Sequence, residues 1–166
     1  MLEIDRLLLD EQEDLRFLIR ELKSGSAGVH VGQVRLITRL EGLVKLVQKQ
    51  WGLCVDLTGV DSRVPKALEQ DIYYLVRESL FNAARHGGAS SARVELCGED
   101  HESRITVADN GRGFPFHGHY DHHTLMEGKL APLTLQTRVT HLGGTLAIDS
   151  SEAGARLEIT LPCSGA

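Results

Sequence analysis

Cysteine is scarce in this chain. The three present, Cys54, Cys97 and Cys163, are odd in number and far apart, and no C-x-x-C pair exists to hold zinc or cycle as a redox couple. They read as reduced thiols, and a cytoplasmic setting is the expectation. No apolar run approaches the ~20 residues that cross a bilayer. The opening MLEIDRLLLDEQED sets acids where a secretory signal needs a basic segment and a small-residue cleavage site, so no membrane contact is expected of this segment. An excess of basic charge is missing as well: 18 Lys and Arg stand against 23 Asp and Glu, a net charge of −5, which excludes a global field for nucleic acid. The imbalance is too mild, and the apolar share of 42% too ordinary, for a disordered chain. There is no internal repeat, no low-complexity tract and no G-x-x-x-x-G-K-[ST], so a P-loop is excluded. A phosphate-bearing ligand, if there is one, must be held by a local site, with a metal cation as the natural complement.

What is present fits one domain of 166 residues with an appendage. Over residues 1–23, Ile4, Leu8, Leu15, Leu18 and Leu22 form a short coiled-coil-like stripe, equally readable as a dimer seam or as a helix packed on its own domain. KSGSAGVHVG then breaks the helix as a linker or hinge. A helix is expected over about 31–50 with Val34, Ile37, Leu40, Val44 and Val47 on its apolar face, closed by Trp51 and Gly52. LCVDLTG alternates as a strand, and Pro65 opens a helix over about 66–86 that buries Leu68, Ile72, Leu75, Val76, Ser79, Leu80 and Ala83 before Gly87 and Gly88 stop it. SARVELCGEDHESRITVAD reads as a hairpin, residues 110–129 as a Gly-rich and His-rich loop, PLTLQTRVTHLGG as a helix ending at Gly143, and TLAIDSSEAGARLEITLP as a second hairpin. This order does not alternate as a doubly wound sheet does. It predicts an α+β fold: a two-layer sandwich with a mixed, mostly antiparallel sheet, helices on one face, and an N-terminal helical segment.

Chemistry concentrates in RESLFNAARHGG. Glu78, Asn82 and Arg85 lie three or four residues apart on a helix and form one polar stripe, with His86 beside Asn82. Alone, that stripe reads more readily as a solvated helix face than as a site. DNGRGF follows directly on an alternating strand, so Asp109 ends a strand while Gly111 and Gly113 let the backbone turn closely. Such a stretch is often a tight turn, but here the chain continues into a long segment instead of a returning strand. A carboxylate at a strand end can accept from an exocyclic amine such as that of adenine.

E-x-x-x-N-A-x-R-H followed by D-N-G-R-G-F resembles the N box and first glycine box of the histidine-kinase ATP-binding domain, in the GHKL superfamily shared with gyrase B, heat-shock protein 90 and the mismatch-repair ATPases. The likeness covers about residues 40–162 and is nearest the sensor kinases that partner helix-turn-helix response regulators. It implies a division into the end of a dimerisation helix plus linker over residues 1–28 and an ATP-binding catalytic domain over 29–166. It also implies that Asn82 holds Mg²⁺ and that Glu78 polarises the attacking group or a metal-bound water. Arg85 and His86 would sit near the phosphates, Asp109 would accept the adenine amine, Gly111 and Gly113 would shape the nucleotide wall, and Lys129 joins the nucleotide-binding set. The cofactors implied are ATP and Mg²⁺. The partners implied are a response regulator and the chain's own dimerisation and phosphoacceptor domain, in a homodimeric full-length protein.

Three positions depart from the family's pattern. The second glycine box reads GKLAP, with Lys129 and Ala131 at the glycine positions, and an alanine forced into a left-handed conformation costs about 1–2 kcal/mol. Ala155 stands where a threonine usually follows glycine, a loss of about 0.5–1.5 kcal/mol for one hydrogen bond. No phosphoacceptor helix precedes Met1, and His30, in the Gly-rich linker, is a poor substitute. The acceptor histidine is therefore expected outside this chain. Two other readings follow: a degenerate module that docks on a kinase or regulator, and a serine kinase of the anti-sigma-factor type. The histidines of HGHYDHH, His117, His119, His122 and His123, are candidates for a transition metal or simply a solvated cluster.

Overall fold

The computed structural model describes residues 35–59 and 63–163. The coiled-coil-like stripe, the hinge, His30 and the first turn of the helix expected from residue 31 lie outside them. Helix α1, Leu36–Trp51, ends where Gly52 takes a left-handed φ of 69° and returns its N–H to the Gln48 carbonyl at 2.9 Å. Its buried residues are Leu36, Leu40, Leu43 and Val47. The expected face named Ile37 and Val44 in place of Leu36 and Leu43, and both of those are only half-buried. The helix carries two overlapping stripes of apolar residues, and packing against its neighbours selects between them.

Pro65 sets the entry to α2, Lys66–Arg85, whose Ile72, Tyr73, Leu75, Val76, Ser79, Leu80 and Ala83 are buried. Leu68, expected with them, is half-buried. The strands are β1 Cys54–Thr58, β2 Ser91–Gly98, β3 Glu102–Asp109, β4 Gly118–Tyr120, β5 Thr145–Ser151 and β6 Gly154–Pro162, in the sheet order β1-β2-β3-β6-β5-β4. Only β1 and β2 run parallel; every other pair is antiparallel. Alternation puts Val94, Leu96, Ile105, Val107, Leu157 and Ile159 against the helices in one continuous core. The opposite face is a lattice of charge, with Arg93 on Asp56 at 3.3 Å and Arg104 on Glu102 at 2.8 Å. The fold is thus the α+β sandwich expected, with helices over one face of a mixed sheet.

Residues 110–129 are more ordered than a loop. Phe114 stacks on Phe116 with ring centroids 5.3 Å apart, and Phe116 meets the Tyr120 ring at 4.7 Å. β4 then pairs along β5, and α3, His122–Gly128, begins at Asp121, whose carboxylate accepts from the Thr124 N–H at 2.8 Å. Helix α4, Leu133–His141, follows. The left-handed strain expected at Ala131 falls instead on Lys129, whose φ of 50° caps α3 and makes it the one non-glycine with positive φ among the described residues. Ala131 is buried.

Candidate functional site

The register of the sheet decides the site. Along β3 the inward positions run Ser103, Ile105, Val107, Asp109, so the last of them turns a carboxylate toward the helix layer. Its partners across the ladder are Ala92 and Ala155, both small, which leaves space above it. The C-terminal half of α2 passes over that space. A cavity of about 560 Å³ results, within the range of small-ligand sites. Ser79, Asn82, Ala83, His86 and Gly87 form its helix wall, Asp109 and Ala155 lie on the sheet side, and Arg112, Gly113, Phe114 and Pro115 form the loop wall.

Asp109 is half-buried. Burial pushes its carboxyl above the usual carboxylate range, and N–H donors from Gly111 and Ala155 pull it part of the way back. The Gly111 N–H reaches Oδ1 at 2.8 Å. Gly111 itself is buried, and a Cβ there would stand 2.7 Å from the Gly87 carbonyl oxygen. The backbone oxygen of Asn82 accepts from the N–H groups of His86 and Gly87, both at 3.0 Å, which closes the helix. Its side-chain nitrogen is buried with no hydrogen-bond partner. A buried amide left in that state costs about 1–3 kcal/mol, a cost that a ligand completing the amide's bonding would remove.

The structure therefore brings Asn82, His86, Asp109 and Gly113 onto one cavity, with Gly111 just beneath its wall. Glu78, Arg85 and Lys129 are not part of its lining. Glu78 accepts a hydrogen bond from the Thr134 hydroxyl and lines a neighbouring groove between α2 and α4, with Asp71 and Arg138. Lys129 is exposed at the end of α3. The sequence reading missed Arg112, although it sits between the two glycines singled out. It counted Ser79 as core, which its hydroxyl bond to the Leu75 carbonyl at 2.7 Å agrees with, without seeing that it also borders the cavity. Ala155, read as a lost hydrogen bond, contributes its backbone N–H to Asp109.

The histidine cluster is divided among separate partners. His119 meets Asp149 at 2.7 Å, His123 meets Glu127 at 3.4 Å, and the His122 ring accepts from the Leu146 N–H at 3.3 Å. Among the described residues no group of three His, Cys, Asp or Glu is arranged to hold a metal ion.

Gly113 is expected to be intolerant of a side chain. Its φ of 71° is left-handed, and a Cβ would fall on the Ser151 carbonyl oxygen and within 2.7 Å of Ser150 Oγ. Gly113→Ala is expected to cost at least about 2 kcal/mol and several degrees of melting temperature. Gly42→Ala in α1, where nothing lies within 4 Å, is expected to stabilise by about 0.5–1 kcal/mol. Thermal denaturation of the two variants side by side checks both signs.

A family model described as histidine kinase-, DNA gyrase B-, and HSP90-like ATPase matches residues 67–165. The sensor histidine kinase MctS of Rhizobium johnstonii is 34% identical over 110 residues, 66% of this chain and 23% of that protein. The sensor protein VraS of Staphylococcus aureus is 26% identical over 161 residues, 96% of this chain and 43% of VraS. The chain thus spans less than half the length of these curated relatives. Among solved structures, the ATP-binding domain of PrrB from Mycobacterium tuberculosis has the same fold at 24% identity, with a TM-score of 0.58 over 78% of this chain and 94% of that one. The blue-light activated histidine kinase EL346 of Erythrobacter litoralis superposes with a TM-score of 0.56 at 25% identity, over 75% of this chain and 41% of that one. No helix among the described residues is long and apolar enough to cross a membrane.

Proposed function

Because the chain belongs to the histidine kinase-, DNA gyrase B-, and HSP90-like ATPase family, we propose that its cleft takes ATP together with Mg²⁺ and that, within a longer protein, it passes the γ-phosphoryl group to a histidine. That histidine lies on a dimerisation domain outside these residues, in a homodimer whose next acceptor is a response regulator, and the reaction takes place on the cytosolic side. Residues 29–166 form the ATP-binding part and residues 1–28 the end of a dimerisation helix with its linker. The sensor-kinase names of the relatives favour this reading over a docking module or a serine kinase.

The observation that carries the reading is that Asn82 and Asp109, from opposite walls, line one cavity. Asp109 accepts the amine of adenine and lets its half-buried carboxylate regain a partner lost on leaving water. Asn82 offers a hard amide oxygen of the kind Mg²⁺ takes, and its buried, unpartnered side-chain nitrogen is a donor that a phosphate oxygen beside the ion would complete. Mg²⁺, when bound, neutralises charge on the phosphate oxygens. His86 faces the same space, and Arg85 and Lys129 supply positive charge around it. Glu78, held by Thr134 one helical turn before Asn82, orients the accepting group from the adjoining groove. Phosphoryl transfer asks mainly for positioning and charge compensation, which this set supplies.

Calorimetric titration with Mg-ATP and with Mg-GTP tests the reading. Binding of Mg-ATP is expected, with Mg-GTP at least about tenfold weaker, since guanine sets a carbonyl where adenine offers the amine and so faces the carboxylate with a second acceptor. No heat with Mg-ATP would instead favour the docking module.

A further inference from the structure

The loop wall carries a cation with no assigned task. Arg112 stands between Gly111 and Gly113 and lines the cavity. Its backbone N–H donates to the Gly87 carbonyl at 3.0 Å, and its side-chain Nε donates to the His86 carbonyl at 2.8 Å. Two donors from one residue thus take two consecutive carbonyls at the end of α2, tying the wall that carries Asn82 to the loop that leaves Asp109. The Nε bond also fixes the plane of the guanidinium, and among the described residues neither terminal nitrogen has a hydrogen-bond partner.

Acids outnumber bases in this chain, and several of its arginines take carboxylate partners. Arg93 is paired with Asp56, Arg104 with Glu102, Arg138 with Asp71 and Arg156 with Glu158. Among the described residues no carboxylate lies within ion-pair distance of Arg112. An oriented guanidinium, uncompensated at the mouth of a cavity, matches a planar anionic acceptor bidentately, as a phosphate does.

We infer that Arg112 is a binding residue for the nucleotide's phosphate chain, its terminal nitrogens engaging phosphate oxygens while its Nε anchors the end of α2. The inference rests on the nucleotide reading of the cleft and adds a residue to it. Its consequence is graded by ligand: adenosine makes no use of the terminal nitrogens, whereas AMP, ADP and ATP do.

The test is calorimetry of the full chain and of Arg112→Gln and Arg112→Lys with adenosine, AMP, ADP and ATP. Melting temperatures of the three proteins are recorded alongside. The Gln variant is expected to lose roughly tenfold to a hundredfold in affinity for the phosphorylated ligands, the range for one charge-assisted hydrogen-bonding group, while adenosine affinity stays within about twofold. The Lys variant should recover part of the phosphate-dependent affinity, since it keeps the charge without the fork. An equal loss for adenosine and ATP would overturn the inference and leave Arg112 as a clamp on the helix end alone. Unchanged ATP affinity in Arg112→Gln would overturn it too. If the unaltered chain binds none of the four ligands, the nucleotide reading falls and takes this inference with it. If that chain binds ATP and only the Arg112 variants are indifferent, the nucleotide reading stands without it.

Discussion

Asn82→Ala is expected to abolish the magnesium-dependent part of ATP binding. With the amide gone, ATP affinity measured in the presence of Mg²⁺ should fall by about a hundredfold, the upper end of what even the loss of a group supporting a metal ligand costs. Affinity in the presence of EDTA should scarcely change. The substitution also removes the buried side-chain nitrogen that has no hydrogen-bond partner, so the variant should fold at least as well as its parent. Calorimetry with and without the chelator, together with a melting curve, reads both effects. A variant that keeps its full response to Mg²⁺ would exclude Asn82 as a ligand.

Asp109→Asn carries two expected effects of opposite sign. An asparagine at the cavity floor can present an N–H₂ where adenine presents its own, and it lacks the charge that strengthens the bond. ATP affinity should fall by about a hundredfold. Folding stability should rise. Burial lifts the Asp109 pKa above the ordinary carboxylate range. Between the ordinary value and the raised one, the folded chain therefore holds a proton that the unfolded chain has released. Stability then falls as pH increases through that window and stays lower above it. At neutral pH the aspartate is a net cost to the ligand-free protein, and asparagine removes it. The melting temperature of Asp109→Asn should exceed that of the parent at pH 7, and the gap should close as the pH drops below the ordinary carboxylate range. A lower melting temperature for the variant at pH 7 would contradict this account of the carboxylate.

The residues that form the cavity were readable in the sequence where their signal was local. Asn82 and His86 stand out because an amide and an imidazole share the polar side of an otherwise apolar helix. Asp109 stands out because an acid ends an alternating strand just before two glycines. Positions whose meaning depends on packing were not readable. The apolar residues of α1 permit two stripes, and only packing against α2 and β1 selects Leu36 and Leu43 over Ile37 and Val44. The three residues of β4 are too few to show alternation, and the seven of α3 too few to show a helical period. The one local clue to α3 was Asp121 three residues ahead of Thr124, an ordinary helix-starting pattern in a stretch whose histidines draw the eye. Arg112 was hidden for a different reason: nothing in D-N-G-R-G-F says that its Nε will find the carbonyl of a residue 26 positions earlier.

The order of the strands also sorts the cleft's surroundings by how readily they give way. β3, which ends in Asp109, is bonded along its length to β2 on one side and β6 on the other. β4, which leads to α3, is three residues long and hangs from the border of the sheet by β5 alone. Fluctuations that release β4 can therefore come and go at small free-energy cost, while the seat of the carboxylate opens only when the whole sheet does. Amide protons of β4 should accordingly exchange with deuterium far sooner than those of β3, so that the chain can admit and discharge a ligand without disturbing the group that recognises it.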